Sequence, residues 1–274
     1  MDIRISALLP NRGKCTTRSY IPILCLIAIV SAEWLVADID AVLGGILHVA
    51  ILFFLISAAS FSARRPDQRL YLSLSLVPII RIASLSAPLT YFQDMYWHVI
   101  ISVPIFTAAF LVTRVLNLSP ADIGLGIRGA SSGLLIQILV ALSGIGLGVV
   151  EYIILEPEPL ISALSLDRIL IPALILIVST GFMEEIVFRG IIQRSSLEVF
   201  GNWGIVFCAA MFAALYISYL SWVQLGFVFL NGLFFGWITK KTGSILGVCV
   251  AHGLINVCLY LILPFSSIDF GLLN

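Results

Sequence analysis

The chain has 274 residues, 60% of them hydrophobic and 11% charged, with 15 basic and 15 acidic side chains and a net charge of zero. Soluble globular domains carry about 25% charged residues, so these charges cannot build a polar surface around so large an apolar content, and a soluble globular enzyme is excluded. A mean hydropathy of +1.10 makes lipid the solvent for most of the exterior; membrane lipid is the expected partner, and no nucleic acid.

A transmembrane helix needs about 20 mostly apolar residues. In chain order, such runs occupy 19–37, 41–61, 70–90, 96–114, 130–153, 168–190, 203–220, 222–240 and 244–264. The runs are continuous rather than alternating, which favours helices over a barrel, since backbone exposed to lipid must satisfy its own hydrogen bonds. The expected fold is all-α: a polytopic helical transmembrane bundle of about eight to nine spans. The last three runs are joined by the shortest connections, so one of them could be re-entrant. Residues 1–118 are read as N-terminal transmembrane helices, 119–264 as the core that carries the chemistry and 265–274 as a tail.

Orientation follows the lysines and arginines. If nine spans alternate, Arg4, Arg12, Lys14, Arg18, Arg64, Arg65, Arg69, Arg114, Arg128, Arg189, Arg194, Lys240 and Lys241 fall on one side and only Arg168 on the other. Glu33, Asp38, Asp40, Asp94, Glu151, Glu156, Glu158, Asp167 and Asp269 populate the basic-poor side. This predicts a multi-pass protein, expected in a prokaryotic cell membrane, with its N-terminus cytoplasmic. No small-residue cleavage site follows the basic N-terminal segment, so no cleavable signal peptide is expected. The five cysteines, Cys15, Cys25, Cys208, Cys249 and Cys258, lack metal-type spacing, and the four in predicted spans, all but Cys15, read as small apolar residues. Ser119-Pro120-Ala121-Asp122 reads as a helix start with proline at the first helical position.

A charge in the hydrocarbon region costs about 2.5–3.5 kcal/mol on insertion scales, so such residues are functional candidates. Arg81 lies inside the third span, free to pair with a glutamate cluster or to reach the interface. Glu184, Glu185 and Arg189 lie in Gly181-Phe-Met-Glu-Glu-Ile-Val-Phe-Arg-Gly190, at the end of the sixth span. Glu185 and Arg189 share a helix face and can pair, while Glu184 points about 100° away. One carboxylate is left without a local partner; desolvation raises the pKa of such a group and suits it to general-base work. The bland alternative is an ion pair at the membrane border. In the last span His252 and Asn256 are four apart, so an imidazole and a carboxamide project from one face. They could donate two hydrogen bonds to a developing oxyanion or join helices by hydrogen bonding. Phe212-Ala-Ala-Leu-Tyr216 alone is an ordinary apolar helix ending in a tyrosine.

In this order and at this separation, the three segments resemble the CPBP (CAAX protease and bacteriocin-processing, ABI-type) family of intramembrane proteases. Its pattern is two glutamates and an arginine four residues after the second, then Phe-x-x-x-His, then His-x-x-x-Asn. Asp122-Ile-Gly124-Leu, Gly-Leu-Phe-Phe-Gly at 232–236 and the stretch from Lys241 also resemble the family. The resemblance covers about 119–264. It implies that Glu184 is the general base activating water, that Glu185 and Arg189 order the site, and that His252 and Asn256 stabilise the oxyanion. It also implies a peptide or protein substrate within or at the membrane, prenylated or precursor in kind.

The chain departs from the pattern at Tyr216, which stands where the family has histidine. A tyrosine, with a reference pKa near 10, does not exchange protons readily at neutral pH, but it can hold a water. The loss also leaves a poor zinc-ligand set. His48 and His98 lie in other spans and read as structural, so no metal and no other cofactor is expected. Three function classes stand: an active intramembrane endopeptidase, a proteolytically silent homologue acting as scaffold, regulator or immunity protein, and a transporter. For the last, Arg81 and the glycine-rich fifth span (Gly133, Gly144, Gly146, Gly148) are the hints, although those glycines read more simply as close helix packing.

Overall fold

The computed structural model describes residues 20–87, 94–126 and 131–266. Among them the helices are α1 (Tyr20–Ile39), α2 (Ala41–Phe61), α3 (Arg65–Ser86), α4 (Asp94–Val115), α5 (Ser131–Leu155), α6 (Leu166–Phe200), α7 (Trp203–Ala214), α8 (Trp222–Thr242) and α9 (Leu246–Phe265). Eight of these are long and apolar enough to cross a membrane, all but α7. The described residues contain no strand, so the fold is the polytopic all-α bundle expected. The N-terminal basic segment, Cys15, Arg128 and Asp269 lie outside the described residues.

Local chemistry sets the element ends. Asp40 starts α2, its Oδ1 accepting from the backbone N–H of Val42 at 2.7 Å and of Leu43 at 2.9 Å. The α3 helix breaks at Ser75, because Pro78 cannot donate to the Leu74 carbonyl and its ring crowds that group. The predicted helix start at Ser119 is instead a single turn. Ser119 N–H donates to Asp122 Oδ2 at 3.0 Å and Asp122 N–H to Ser119 Oγ at 3.3 Å, a reciprocal cap. Gly124, at φ +80°, then leaves the helical region.

Two predicted spans change length. The seventh, expected over 203–220, is a helix of 12 residues, Trp203–Ala214, about 18 Å long, followed by an irregular turn that carries Tyr216. The sixth, expected to end near 190, runs on to Phe200 as part of a 35-residue helix, about 52 Å long. Polar residues past 190 are used inside the protein. Gln193 Nε2 donates to the Gly236 carbonyl at 3.0 Å, and Ser195 Oγ meets Ser73 Oγ at 2.7 Å. Glu184 therefore lies near the middle of α6, not at its end.

The basic ends of several helices gather at one end of the bundle. Arg69 pairs with Glu198 at 2.9 Å, Arg194 donates to the Asp122 carbonyl at 2.7 Å, and Lys240 reaches Asn202. There Ile245 N–H donates to the Gly124 carbonyl at 3.0 Å, seating the start of α9 on the Asp122-Ile-Gly124-Leu turn.

The α9 helix packs backbone to backbone against α5 and α6. A Cβ on Gly144 would collide with the Ala251 carbonyl, and one on Gly181 would stand 2.7 Å from Gly253 N. With lipid tails as apolar as the helices, close van der Waals contact between small residues is what joins them. Gly146, two residues on, faces open space. Gly144→Leu is expected to lower the thermal unfolding midpoint in detergent by several degrees, at a cost of about 1–3 kcal/mol or more for overpacking. Gly146→Leu is expected to leave the midpoint unchanged; equal losses from both would show that the close approach of α5 and α9 is not what holds them.

Candidate active site

The middle of α6 brings Thr180, Glu184, Glu185 and Arg189 to the centre of the bundle. Around the glutamates the helix is wide-turned: Ile177–Phe182 and Ile186–Ile192 form i→i+5 turns on either side of Met183–Glu185. Such turns are frequent at functional sites. The α9 helix contributes His252 and Asn256, the α7 end Phe212 and Tyr216, α5 Glu151, and α8 Gln224, Asn231 and Phe235.

Glu185 is fully buried, and its Oε1 receives two partners: Arg189 Nη1 at 2.9 Å from its own helix and His252 Nδ1 at 2.8 Å from α9. A carboxylate only accepts, so Nδ1 carries a hydrogen. The Arg189 guanidinium also lies 4.5 Å from the centroid of the Phe212 ring, a cation–π contact that ties α7 to the pair. Glu184 does not point away from this cluster: the imidazole has two nitrogens, and Nε2 lies 3.7 Å from Glu184 Oε2. The same oxygen accepts from the Tyr216 hydroxyl at 3.4 Å. Glu184 is thus the looser of the two carboxylates, with 22% of its side chain exposed.

Asn256 sits one turn beyond His252 on the same face. Its Nδ2 donates to Thr180 Oγ1 at 2.7 Å, and that hydroxyl passes its own hydrogen to the Leu176 carbonyl. One amide hydrogen of Asn256 is spent on position; the amide has a second to give.

Glu151, Phe212, Tyr216, Val228, Asn231, Phe235, His252, Ile255 and Asn256 line a small cavity, with about 20 Å³ available to the centre of a water molecule. One water needs about 10–15 Å³ of such space, so the cavity has room for about one. Its walls offer a hydroxyl, an imidazole and amides, with the Glu184 carboxylate in contact with two of them.

Glu151 is a site residue that the sequence did not reveal. Read as an acidic group near the basic-poor end of its span, it is instead buried at the cavity, its Oε1 accepting from Gln224 Nε2 at 2.6 Å. Only its place two residues inside the end of the apolar run 130–153 hinted at this. Arg81 is not part of the site and does not pair with Glu184 or Glu185: its fork meets Glu33. Cys25, Cys208, Cys249 and Cys258 are free and buried. Among the described residues no three His, Cys, Asp or Glu side chains are grouped to hold a metal ion.

Fold and site define a polytopic helical membrane protein with a glutamate–histidine cluster buried among its helices. Residues 167–258 match the family model described as Rce1-like, type II CAAX prenyl endopeptidase Rce1-like, so the CPBP resemblance is shown over that segment. The matched stretch contains Glu184, Glu185, Arg189, Tyr216, His252 and Asn256, and a protease family supports a peptidase at that coarse level. No curated protein and no solved structure matches the chain.

Removing one partner of a buried pair leaves an uncompensated charge, at a cost of about 3–5 kcal/mol. Arg189→Met is therefore expected to lower stability strongly in a detergent unfolding series, and the double variant Glu185→Gln with Arg189→Met to regain most of the loss. A double variant no better than Arg189→Met would show that the ion pair is not the reason for Arg189.

Proposed function

We propose that the protein is an intramembrane endopeptidase that hydrolyses a peptide bond of a membrane-associated peptide or protein by means of a water activated by Glu184. The observation that carries this reading is the position of Glu184 Oε2, 3.4 Å from the Tyr216 hydroxyl and 3.7 Å from His252 Nε2, beside a cavity of one-water size.

In this mechanism Glu184 takes a proton from the water as its oxygen attacks the scissile carbonyl carbon. The carbonyl π electrons move to oxygen, and the resulting oxyanion receives hydrogen bonds from His252 Nε2–H, in the imidazolium form, and from the second amide hydrogen of Asn256. The C–N bond then breaks and Glu184 returns its proton to the leaving amine. Glu185 holds the imidazolium through Nδ1–H, and Arg189 balances the second carboxylate. Tyr216, in place of the family's histidine, orients Glu184 and the water by hydrogen bonding and exchanges no proton. The match to a family of type II CAAX prenyl endopeptidases makes prenylated peptides the first substrate class to test. The distribution of basic residues supports a cytoplasmic N-terminus.

A proteolytically silent homologue is the second reading. Two observations favour it: tyrosine at the histidine position, and a cavity with room for a water but not for a peptide.

The two readings separate on the purified full chain in lipid nanodiscs, given prenylated and unprenylated reporter peptides. The protease reading expects cleavage that Glu184→Gln lowers by about 100-fold or more, and that Tyr216→His preserves or raises. No cleavage by the wild-type chain, with cleavage gained by Tyr216→His, would establish the silent reading.

A further inference from the structure

The helix break that carries Tyr216 lies among apolar spans, where a backbone carbonyl without a donor is costly. After Ala214 the chain leaves the α-helix: Tyr216 N–H donates to the Ala213 carbonyl at 2.9 Å, Tyr219 N–H to the Tyr216 carbonyl at 3.2 Å, and Leu220 N–H to the Ile217 carbonyl at 2.9 Å. Leu220 closes the turn in the left-handed region, at φ 52°. The Leu215 carbonyl accepts from none of these amides. It accepts from Arg81 Nη2, at 2.9 Å.

Arg81 is itself fixed. Its Nε donates to Glu33 Oε1 at 2.9 Å, and its Nη2 lies in ion-pair contact with Glu33 Oε2, so the planar guanidinium lies against the carboxylate. Glu33 is fully buried in α1, and the equally buried His48 of α2 has Nε2 3.3 Å from Glu33 Oε1. Three costly groups from α1, α2 and α3 thus converge, and they project one hydrogen bond out of their cluster, onto the residue before Tyr216.

We propose that Glu33, His48 and Arg81 form a positioning cluster that holds the turn after α7 and so sets the Tyr216 hydroxyl against Glu184. The cluster lies in the N-terminal helices, outside the family-matched segment 167–258, and makes those helices part of the site's construction. A lone arginine near lipid would reach the interface with its long side chain; here Glu33 holds the guanidinium inward, and the same Nη2 that faces Glu33 Oε2 also caps the broken helix. In its kinetic consequence only, this inference rests on the proposed role of Tyr216 in hydrolysis.

The test places 3-fluorotyrosine at position 216 of the full chain and reads its ¹⁹F resonance in nanodiscs. The line should shift on Glu184→Gln, which alters the group that the hydroxyl contacts. In Arg81→Met the line should move or broaden, and its response to Glu184→Gln should disappear. Arg69→Met, which removes only the pairing with Glu198, should change neither. Arg81→Lys keeps the charge beside Glu33 but lacks the planar fork that spans Glu33 and the Leu215 carbonyl, so it should show the same loss, and it decides the matter if Arg81→Met does not fold. An unaltered line that still responds to Glu184→Gln in a folded Arg81 variant overturns the inference. With an active chain, the Arg81→Lys defect should lie in kcat, by roughly tenfold or more, with KM unchanged; an unchanged kcat beside a disturbed resonance would count against Tyr216's role in hydrolysis, not against the cluster.

Discussion

One carboxylate oxygen organises the centre of this molecule. Glu185 Oε1 accepts both the Arg189 guanidinium of its own helix and the His252 imidazole of α9, and neither carboxylate nor guanidinium has water to fall back on. In a low-dielectric interior such a charge is tolerated only when it is balanced, here by Arg189 on Oε1, while Glu185 Oε2 and Arg189 Nη2 are buried without a hydrogen-bond partner. Because Glu185 absorbs Arg189 and one imidazole nitrogen, Glu184 keeps only two looser contacts, the Tyr216 hydroxyl and the second imidazole nitrogen. Two adjacent residues of the same type are thereby given different environments, one fixed by two close partners and the other held by two longer contacts and partly exposed.

The rest of the fold serves this placement. Backbone-close packing at Gly144 and Gly181 brings α9 deep between α5 and α6, so that residues on α9 can reach α6 at hydrogen-bond distance. The short α7 stops midway and exposes a carbonyl where a full span would have hidden it. That interruption puts a tyrosine hydroxyl at the glutamate, and the N-terminal helices supply the arginine that satisfies the broken backbone. Buried charges in two separate clusters, one around Glu185 and one around Glu33, meet at the same turn.

How much of this the sequence revealed depends on the range of the interaction. The apolar runs, the sharing of a face by Glu185 and Arg189 and by His252 and Asn256, and the grouping of the three motifs are local or nearly so, and periodicity and resemblance expose them. The length of α6 was hidden because Gln193 and Ser195 look like residues leaving the membrane, while their partners, Gly236 and Ser73, are distant in sequence. Glu33 and Arg81 are 48 positions apart and share no spacing that marks a pair. Glu151 looked like an interfacial acid for the same reason: its partner Gln224 belongs to another helix, 73 positions on. Tyr216 was singled out by its departure from the family pattern, whereas the turn that carries it, and the arginine beneath that turn, are products of tertiary packing.

The central claim is that this cluster activates water directly against a peptide bond. Its most direct measurement is hydrolysis of a membrane-tethered peptide by the purified full chain in H₂¹⁸O, with the products read by mass spectrometry. The account predicts one ¹⁸O in the newly formed carboxylate after a single turnover, no covalent adduct on the protein, and no labelled product from a Glu184→Gln chain. Labelled product formed equally fast by Glu184→Gln, or a peptide left covalently attached to the protein, would contradict it.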